Sequence, residues 1–227
     1  MSSLLTLAAF AAALPVAEAN ERPKNAVHAV IGAYHTSDDA FNLYSPNDAL
    51  ASPGIRLERD IRGPVSLVGT YTRKRVASEY FESLVENNGD PDREEAALVA
   101  AFIGQQVTFG PKVRFTRSHA LSPYLAAKGL AFFGTSRLDD APEVEDNANE
   151  LKARGWAPGF VAAGGVEFAP NVGAFTPTAF MEMGYNWTAQ LELRDENIAE
   201  HGTNEPALMG DMAFRGFYIQ LGMGLRF

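Results

Sequence analysis

The stretch Phe217-Tyr-Ile-Gln-Leu-Gly-Met-Gly-Leu-Arg-Phe227 carries the reading of the fold. Its residues alternate without a break. Phe217, Ile219, Leu221, Met223, Leu225 and Phe227 form one set, and Tyr218, Gln220, Gly222, Gly224 and Arg226 form the other. Successive side chains of a strand point to opposite faces, so one face is wholly apolar and the other is polar or small. A strand of a soluble, secreted or periplasmic β-protein shows the same alternation, and that reading stays open at this point. Length and pattern also meet what a bilayer requires of a strand: roughly 9–11 residues, apolar toward lipid and polar toward a lumen.

The bulk properties narrow the classes. A chain of 227 residues suits one sizeable domain. It has no cysteine, which removes disulfides and cysteine-based metal sites. A net charge of −9 argues against a nucleic-acid partner, because phosphate binding needs clustered Lys and Arg. Residues 4–17 are apolar, and Ala17-Glu18-Ala19 gives a small-x-small cleavage pattern. Residues 1–19 are therefore expected to be a signal peptide and 20–227 the exported domain. The absence of Lys or Arg in Met1-Ser2-Ser3 departs from the usual pattern. No later apolar run approaches the ~20 residues of a membrane helix.

Outward from the last strand, the same alternation recurs. It places strands at about 26–34, 55–61, 65–74, 105–116, 123–136, 159–168, 180–194 and 217–227. Pro111 inside the fourth predicts a local irregularity. In the fifth, Lys128 is assigned to the inside, because a lipid-facing Lys at mid-depth costs ~2–4 kcal/mol. In the seventh, Leu191 and Leu193 are read as outward, and Glu182 and Glu192 as inward. Polar segments at 35–54, 79–95, 138–154 and 195–211 read as long loops. Short helices are expected from Asp92, as N-cap, and over 143–152. Arg62-Gly63-Pro64 and the segments around 118–122 and 169–176 read as short turns. Eight strands with long and short connections in alternation describe an all-β, up-and-down antiparallel transmembrane β-barrel.

Gly165-Val166-Glu167-Phe168, a turn, and then Phe180-Met-Glu182-Met-Gly184-Tyr185 resemble the closing half of small outer-membrane barrels. That superfamily includes the transmembrane domain of outer membrane protein A, outer membrane protein X and the neisserial surface proteins. Leu121-Ser-Pro-Tyr-Leu-Ala also looks like their approach to the fifth strand. The resemblance spans 121–227 and is vague before that. It implies an outer-membrane location, short periplasmic turns and long extracellular loops. It also implies partners: outer-membrane lipid and lipopolysaccharide, and a surface ligand of the loops. The barrel assembly machinery is a further implied partner, reading Met223, Leu225 and Phe227 as its signal. With nothing after Phe227, a bare barrel is expected.

Chemistry is expected mainly in the lumen. Arg56, Glu58, Lys74, Arg114, Lys128, Glu167, Glu182, Glu192 and Arg226 fall on inward positions, and in so narrow a barrel they must pair. The bland outcome is a structural ion-pair network. The sharper alternative is a narrow solute or ion channel. His35, Ser37 and Asp39 lie near one another at the outer end of the first strand. A His beside a hydroxyl and a carboxylate is a nucleophile arrangement, and some small outer-membrane barrels modify lipid A as acyl hydrolases or transferases with a similar trio. The spacing is weak, and no Gly-x-Ser-x-Gly, phosphate loop or His-Glu-x-x-His accompanies it. The expectation is a non-enzyme with a structural or surface-interaction role, with no cofactor and no metal.

Overall fold

The computed structural model describes residues 24–38, 41, 49–83, 94–116, 120–140, 151–170, 175–199 and 206–227. The described secondary structure is almost entirely strand: β1 Asn25–Thr36, β2 Ala49–Ala51, β3 Gly54–Arg62, β4 Val65–Ser83, β5 Glu94–Arg114, β6 Leu121–Asp140, β7 Leu151–Phe168, β8 Thr176–Thr188, β9 Gln190–Ala199, β10 Pro206–Ala213 and β11 Gly216–Arg226. Neighbours in sequence pair antiparallel from β3 through β8, and β8 pairs β11. β1 then pairs both β3 and β11, so β1, β3, β4, β5, β6, β7, β8 and β11 close into an eight-stranded barrel. β9 and β10 prolong β8 and β11 as an outer hairpin, and β2 pairs β1.

The seam runs without a shift from Ala26↔Arg226 to Thr36↔Gly216. Reciprocal backbone hydrogen bonds between Asn25 and Phe227, at 2.9 and 2.8 Å, finish it. At the same end Gly63-Pro64 joins β3 to β4. Gly63 sits at φ +56°, which a residue without Cβ adopts at no steric cost.

The barrel is apolar outside and polar inside. On β11, Phe217, Ile219, Leu221, Met223 and Leu225 are 49–73% exposed, whereas Tyr218 and Gln220 are buried. Exposed Phe109, Phe115, Leu125, Phe133, Trp156, Phe160, Met181 and Met183 continue this surface around β5–β8. Soluble monomers rarely carry an apolar surface beyond a few hundred Å². A closed apolar belt over a polar interior is the pattern of a strand-built membrane span. Tyr185 stands edge-on to Phe217 at 4.7 Å and tilted on Trp187 at 4.4 Å, and Trp187 stacks on Phe160 at 4.6 Å. This outer cluster suits an interfacial aromatic girdle.

Several strands are longer than the alternation indicates. β4, β5, β6 and β7 have 19, 21, 20 and 18 residues. At ~3.3 Å per residue and a tilt near 40°, twenty residues rise about 50 Å, roughly twice the height of the apolar band. This side of the barrel therefore continues as a wall beyond the membrane. The expected loops at 79–95, 138–154 and 195–211 are correspondingly shorter. Glu94 and Glu95 lie in β5 rather than in a helix, and Leu151 and Lys152 in β7. Asp92 and residues 143–150 lie outside the described residues. A strand that has left the bilayer has water on its outer face, so nothing requires its sequence to alternate.

At Pro111 the β5–β6 ladder omits Gly110 and Pro111 and resumes in register at Lys112↔Ala126. A proline has no N–H to give. Replacing Leu221 with Arg is expected to cost ~2–4 kcal/mol, as for a cation moved to mid-bilayer. Urea unfolding from phospholipid vesicles reads it, and an unchanged midpoint would mean that Leu221 does not face lipid.

Candidate functional site

The interior is layered, and the β4–β5 ladder gives the order. From the outer end, Val76 faces Phe102, Lys74 faces Gly104, Thr72 faces Gln106, Thr70 faces Thr108, Val68 faces Gly110, and Ser66 faces Lys112. The inner positions thus pass from aromatic, through neutral polar, to charged.

The charged layer lies toward the end of the barrel where Asn25 and Phe227 pair. Glu182 on β8 accepts from Arg56 at 2.9 Å, Lys128 at 2.6 Å, Tyr124 at 3.1 Å and Tyr218 at 2.7 Å. Glu58 and Glu167 share Lys112 at 2.5 Å each. Arg114 reaches Glu58, Glu167 at 3.0 Å and Asp60 at 2.8 Å. Arg226 reaches Glu167 at 2.6 Å, Asp60 at 3.0 Å and Glu58 at 3.2 Å. Arg56, 3.6 Å from Glu58, links the two groups and lies 4.1 Å from the centre of the Phe180 ring. Such burial is tolerable only because each charge meets several opposite or hydrogen-bonding partners. His28 faces inward beside this layer, 2.8 Å from the Thr178 hydroxyl and edge-on to Phe180.

The structure thus brings together Arg56, Glu58, Arg114, Lys128, Glu167, Glu182 and Arg226 among the residues selected from sequence. Lys74 stands apart. It is 2% exposed, donates to Gln106 at 2.6 Å and Thr72 at 3.4 Å, and has no carboxylate within ion-pair distance among the described residues. The rings of Tyr34, Phe214 and Phe132 surround it at 5.1, 5.6 and 5.9 Å. Glu192 departs from its inward assignment: it is exposed and pairs with Arg194 of the same strand at 3.0 Å. The cause is local. Ala189 and Gln190 both face outward between β8 and β9, and this extra outward residue inverts every later position of the strand. Leu191 and Leu193 consequently turn inward. Asp60, Lys112, Tyr124 and Tyr218 also belong to the layer. Lys112 shares the parity of Arg114 and Asp60 that of Glu58, so the signal for both was already in the alternation.

Above Lys74 the mouth is filled. Phe214 stacks on Phe132 at 4.2 Å and on Tyr34 at 4.6 Å, and Phe41 meets Phe102 and Phe214 edge-on at 5.4 and 5.7 Å. Leu50 and Leu191 pack into the same cluster. Phe41 and Leu50 come from the segment after β1, so that segment contributes to the plug. A Cβ on Gly134 would sit 2.6 Å from Leu191, and one on Gly104 2.7 Å from Phe132, so these glycines leave the space that the plug occupies.

His35 and Ser37 are both exposed, and the Ser37 hydroxyl donates to the Arg215 carbonyl at 3.1 Å. No bond joins His35 to Ser37 among the described residues, and Asp39, like His119 and His201, lies outside them. Met223 and Leu225 lie on the lipid face. Among the described residues no cluster of His, Asp and Glu with metal-site geometry occurs.

Changing Glu182 to Gln is expected to destabilise the barrel by about 3–5 kcal/mol, because Arg56 and Lys128 lose their shared counter-charge. Changing Glu192 to Gln should stay within about 0.5 kcal/mol, as an exposed pair does. Paired urea titrations read both, and equal effects would contradict the placement of either residue.

No protein-family model and no curated protein matches this chain. Among solved structures it is similar to Ail, the attachment invasion locus protein of Yersinia pestis, in complex with the heparin analogue sucrose octasulfate. The identity is 13% and the TM-score 0.49, over 91% of this chain and 100% of that one. It is similar to Neisserial surface protein A at 15% identity and TM-score 0.41, over 89% and 97% of the two chains. It is similar to the outer membrane protein OprG from Pseudomonas aeruginosa at 10% identity and TM-score 0.47, over 91% and 97%. The chain is similar in architecture to small outer-membrane β-barrels.

Proposed function

We propose that this chain is a non-enzymatic outer-membrane protein that acts at the cell surface, with its protruding wall anchored in the lipopolysaccharide leaflet. A row of cations on the outward face carries this reading. Cross-strand partners run Arg75↔Ile103↔Thr135↔Arg154↔Arg194 from β4 to β9. One row further from the membrane, Ala101↔Arg137↔Lys152 adds two more cations. One row nearer, Arg73↔Gln105↔Phe133↔Trp156 reaches exposed aromatic residues of the apolar belt. The cations therefore lie at headgroup height, where Trp and Lys or Arg commonly anchor a span.

Arg154 and Arg194 stand directly opposite one another, an arrangement that destabilises a sheet unless negative charge lies between them. Glu192 supplies part of that charge to Arg194. Phosphates of the outer leaflet would be drawn to the row as a whole, in a chain whose overall charge of −9 otherwise repels them. On this reading residues 1–19 direct export, 20–227 form the barrel, and the last strand engages the assembly machinery.

The reading predicts that changing Arg75, Lys152 and Arg154 together to Gln weakens lipopolysaccharide binding about 100-fold, at about 1 kcal/mol per cation near an anionic surface. Binding of lipopolysaccharide and of its dephosphorylated form to the folded protein measures this. Equal affinity of wild type and variant for phosphorylated lipopolysaccharide would overturn it. The filled lumen also predicts silence in planar bilayers, and stepwise conductance would favour a channel instead.

A further inference from the structure

Between the charged layer and Lys74 lies a cavity of about 10 Å³, lined by Thr70, Thr72, Gln106, Thr108, Lys128, Val161, Tyr218 and Gln220. That volume holds about one water-sized particle. None of its lining residues is a carboxylate. Thr70 and Thr108 are cross-strand partners, 6% and 4% exposed, and neither hydroxyl has a hydrogen-bond partner among the described residues. A buried hydroxyl left unpaired costs about 1–3 kcal/mol, so two at one cavity call for an occupant.

The remaining polar groups define the sign of that occupant. Gln106 spends its carbonyl oxygen on Lys74 at 2.6 Å and on Asn186 at 3.2 Å, which leaves its amide N–H groups as its contribution. The Thr72 oxygen accepts from Lys74, so its own proton is available. The Tyr218 hydroxyl is committed to Glu182. Lys128 gives one ammonium proton to Glu182 and retains two. The cavity thus presents donors from β4, β5 and β6, and Gln220 completes the lining with an amide that offers either end.

Charge points the same way. Among the described residues below the aromatic plug, the lumen holds Arg56, Lys74, Lys112, Arg114, Lys128 and Arg226 against Glu58, Asp60, Glu167 and Glu182, a formal excess of two cationic side chains. Lys74, the one of these without a carboxylate, is bonded to two residues that line the cavity. We propose that the cavity is a binding site for a single small monovalent anion of the chloride class, held by the Thr70 and Thr108 hydroxyls and the Lys128 ammonium. The bound anion offsets the lumen's surplus charge and ties the neutral polar layer to the ion-pair layer.

The test uses the full folded protein and two halides. Crystals grown in sodium bromide should show an anomalous peak within hydrogen-bonding distance of Thr70 and Thr108. At constant ionic strength, with gluconate replacing chloride, the folded-to-unfolded ratio should rise up to tenfold for each tenfold rise in chloride above its dissociation constant. The isosteric double variant Thr70→Val with Thr108→Val should lose this dependence while keeping the circular dichroism of the barrel. Water at the site, with no anomalous peak and a chloride-independent ratio in wild-type protein, would overturn the proposal. The bromide and chloride measurements on wild type decide the matter even if the double variant does not fold.

Discussion

Everything in this chain depends on the pairing of β1 with β11. In hydrocarbon, an unpaired backbone N–H or C=O has no water to turn to, and each costs several kcal/mol. An open eight-stranded sheet would present two such edges to lipid. The seam from Asn25 to Phe227 removes both, and it makes the last strand as necessary as the first. Once the ring is closed, the period-2 alternation fixes which side chains meet lipid and which meet one another. A single residue of slip would turn Leu221 inward and Gln220 into the bilayer.

Closure at eight strands also dictates the interior. The ring is just wide enough to be filled by side chains. Small inward residues make room for large ones: Gly222 lies under its cross-strand partner Phe180, and Gly104 and Gly134 under the aromatic plug. Charges cannot leave such a space, so those below Lys74 pair, and each acid serves several cations. The result is stratified, with ion pairs toward the end that holds Asn25 and Phe227, neutral polar groups around Lys74, and stacked aromatics at the mouth. This stratification fills the lumen with side chains. On the outer surface, four long strands rise above the membrane.

The membrane-spanning part was legible because lipid imposes a strict pattern on sequence. From β11 the alternation identified all eight staves of the ring, the inward Lys128 and most of the ion-pair layer. Legibility ended where that pressure ends. The extensions of β4 through β7 stand in water on their outer face and show no clean alternation, so they read as loops. Glu192 failed for a different reason. The step at Ala189–Gln190 inverts parity, and a two-residue irregularity leaves no mark in composition. The aromatic plug was not anticipated either, because Phe41 and Leu50 come from a segment without strand periodicity, and Leu191 and Leu193 lay beyond the step. The outward cation row emerged only with the register, since Arg75, Arg154 and Arg194 are far apart in sequence.

The central claim, a closed barrel that lives in a membrane, is tested most directly by its resistance to detergent. The full chain would be expressed in a Gram-negative host, outer membranes isolated, and unheated and boiled samples run side by side on a denaturing gel. The account predicts a faster-migrating unheated band in the outer-membrane fraction, because the closed hydrogen-bond ring survives detergent until heated. A single band at one mobility, recovered from the soluble periplasm, would contradict it and would return the exposed aromatic belt to the core of a soluble β-protein.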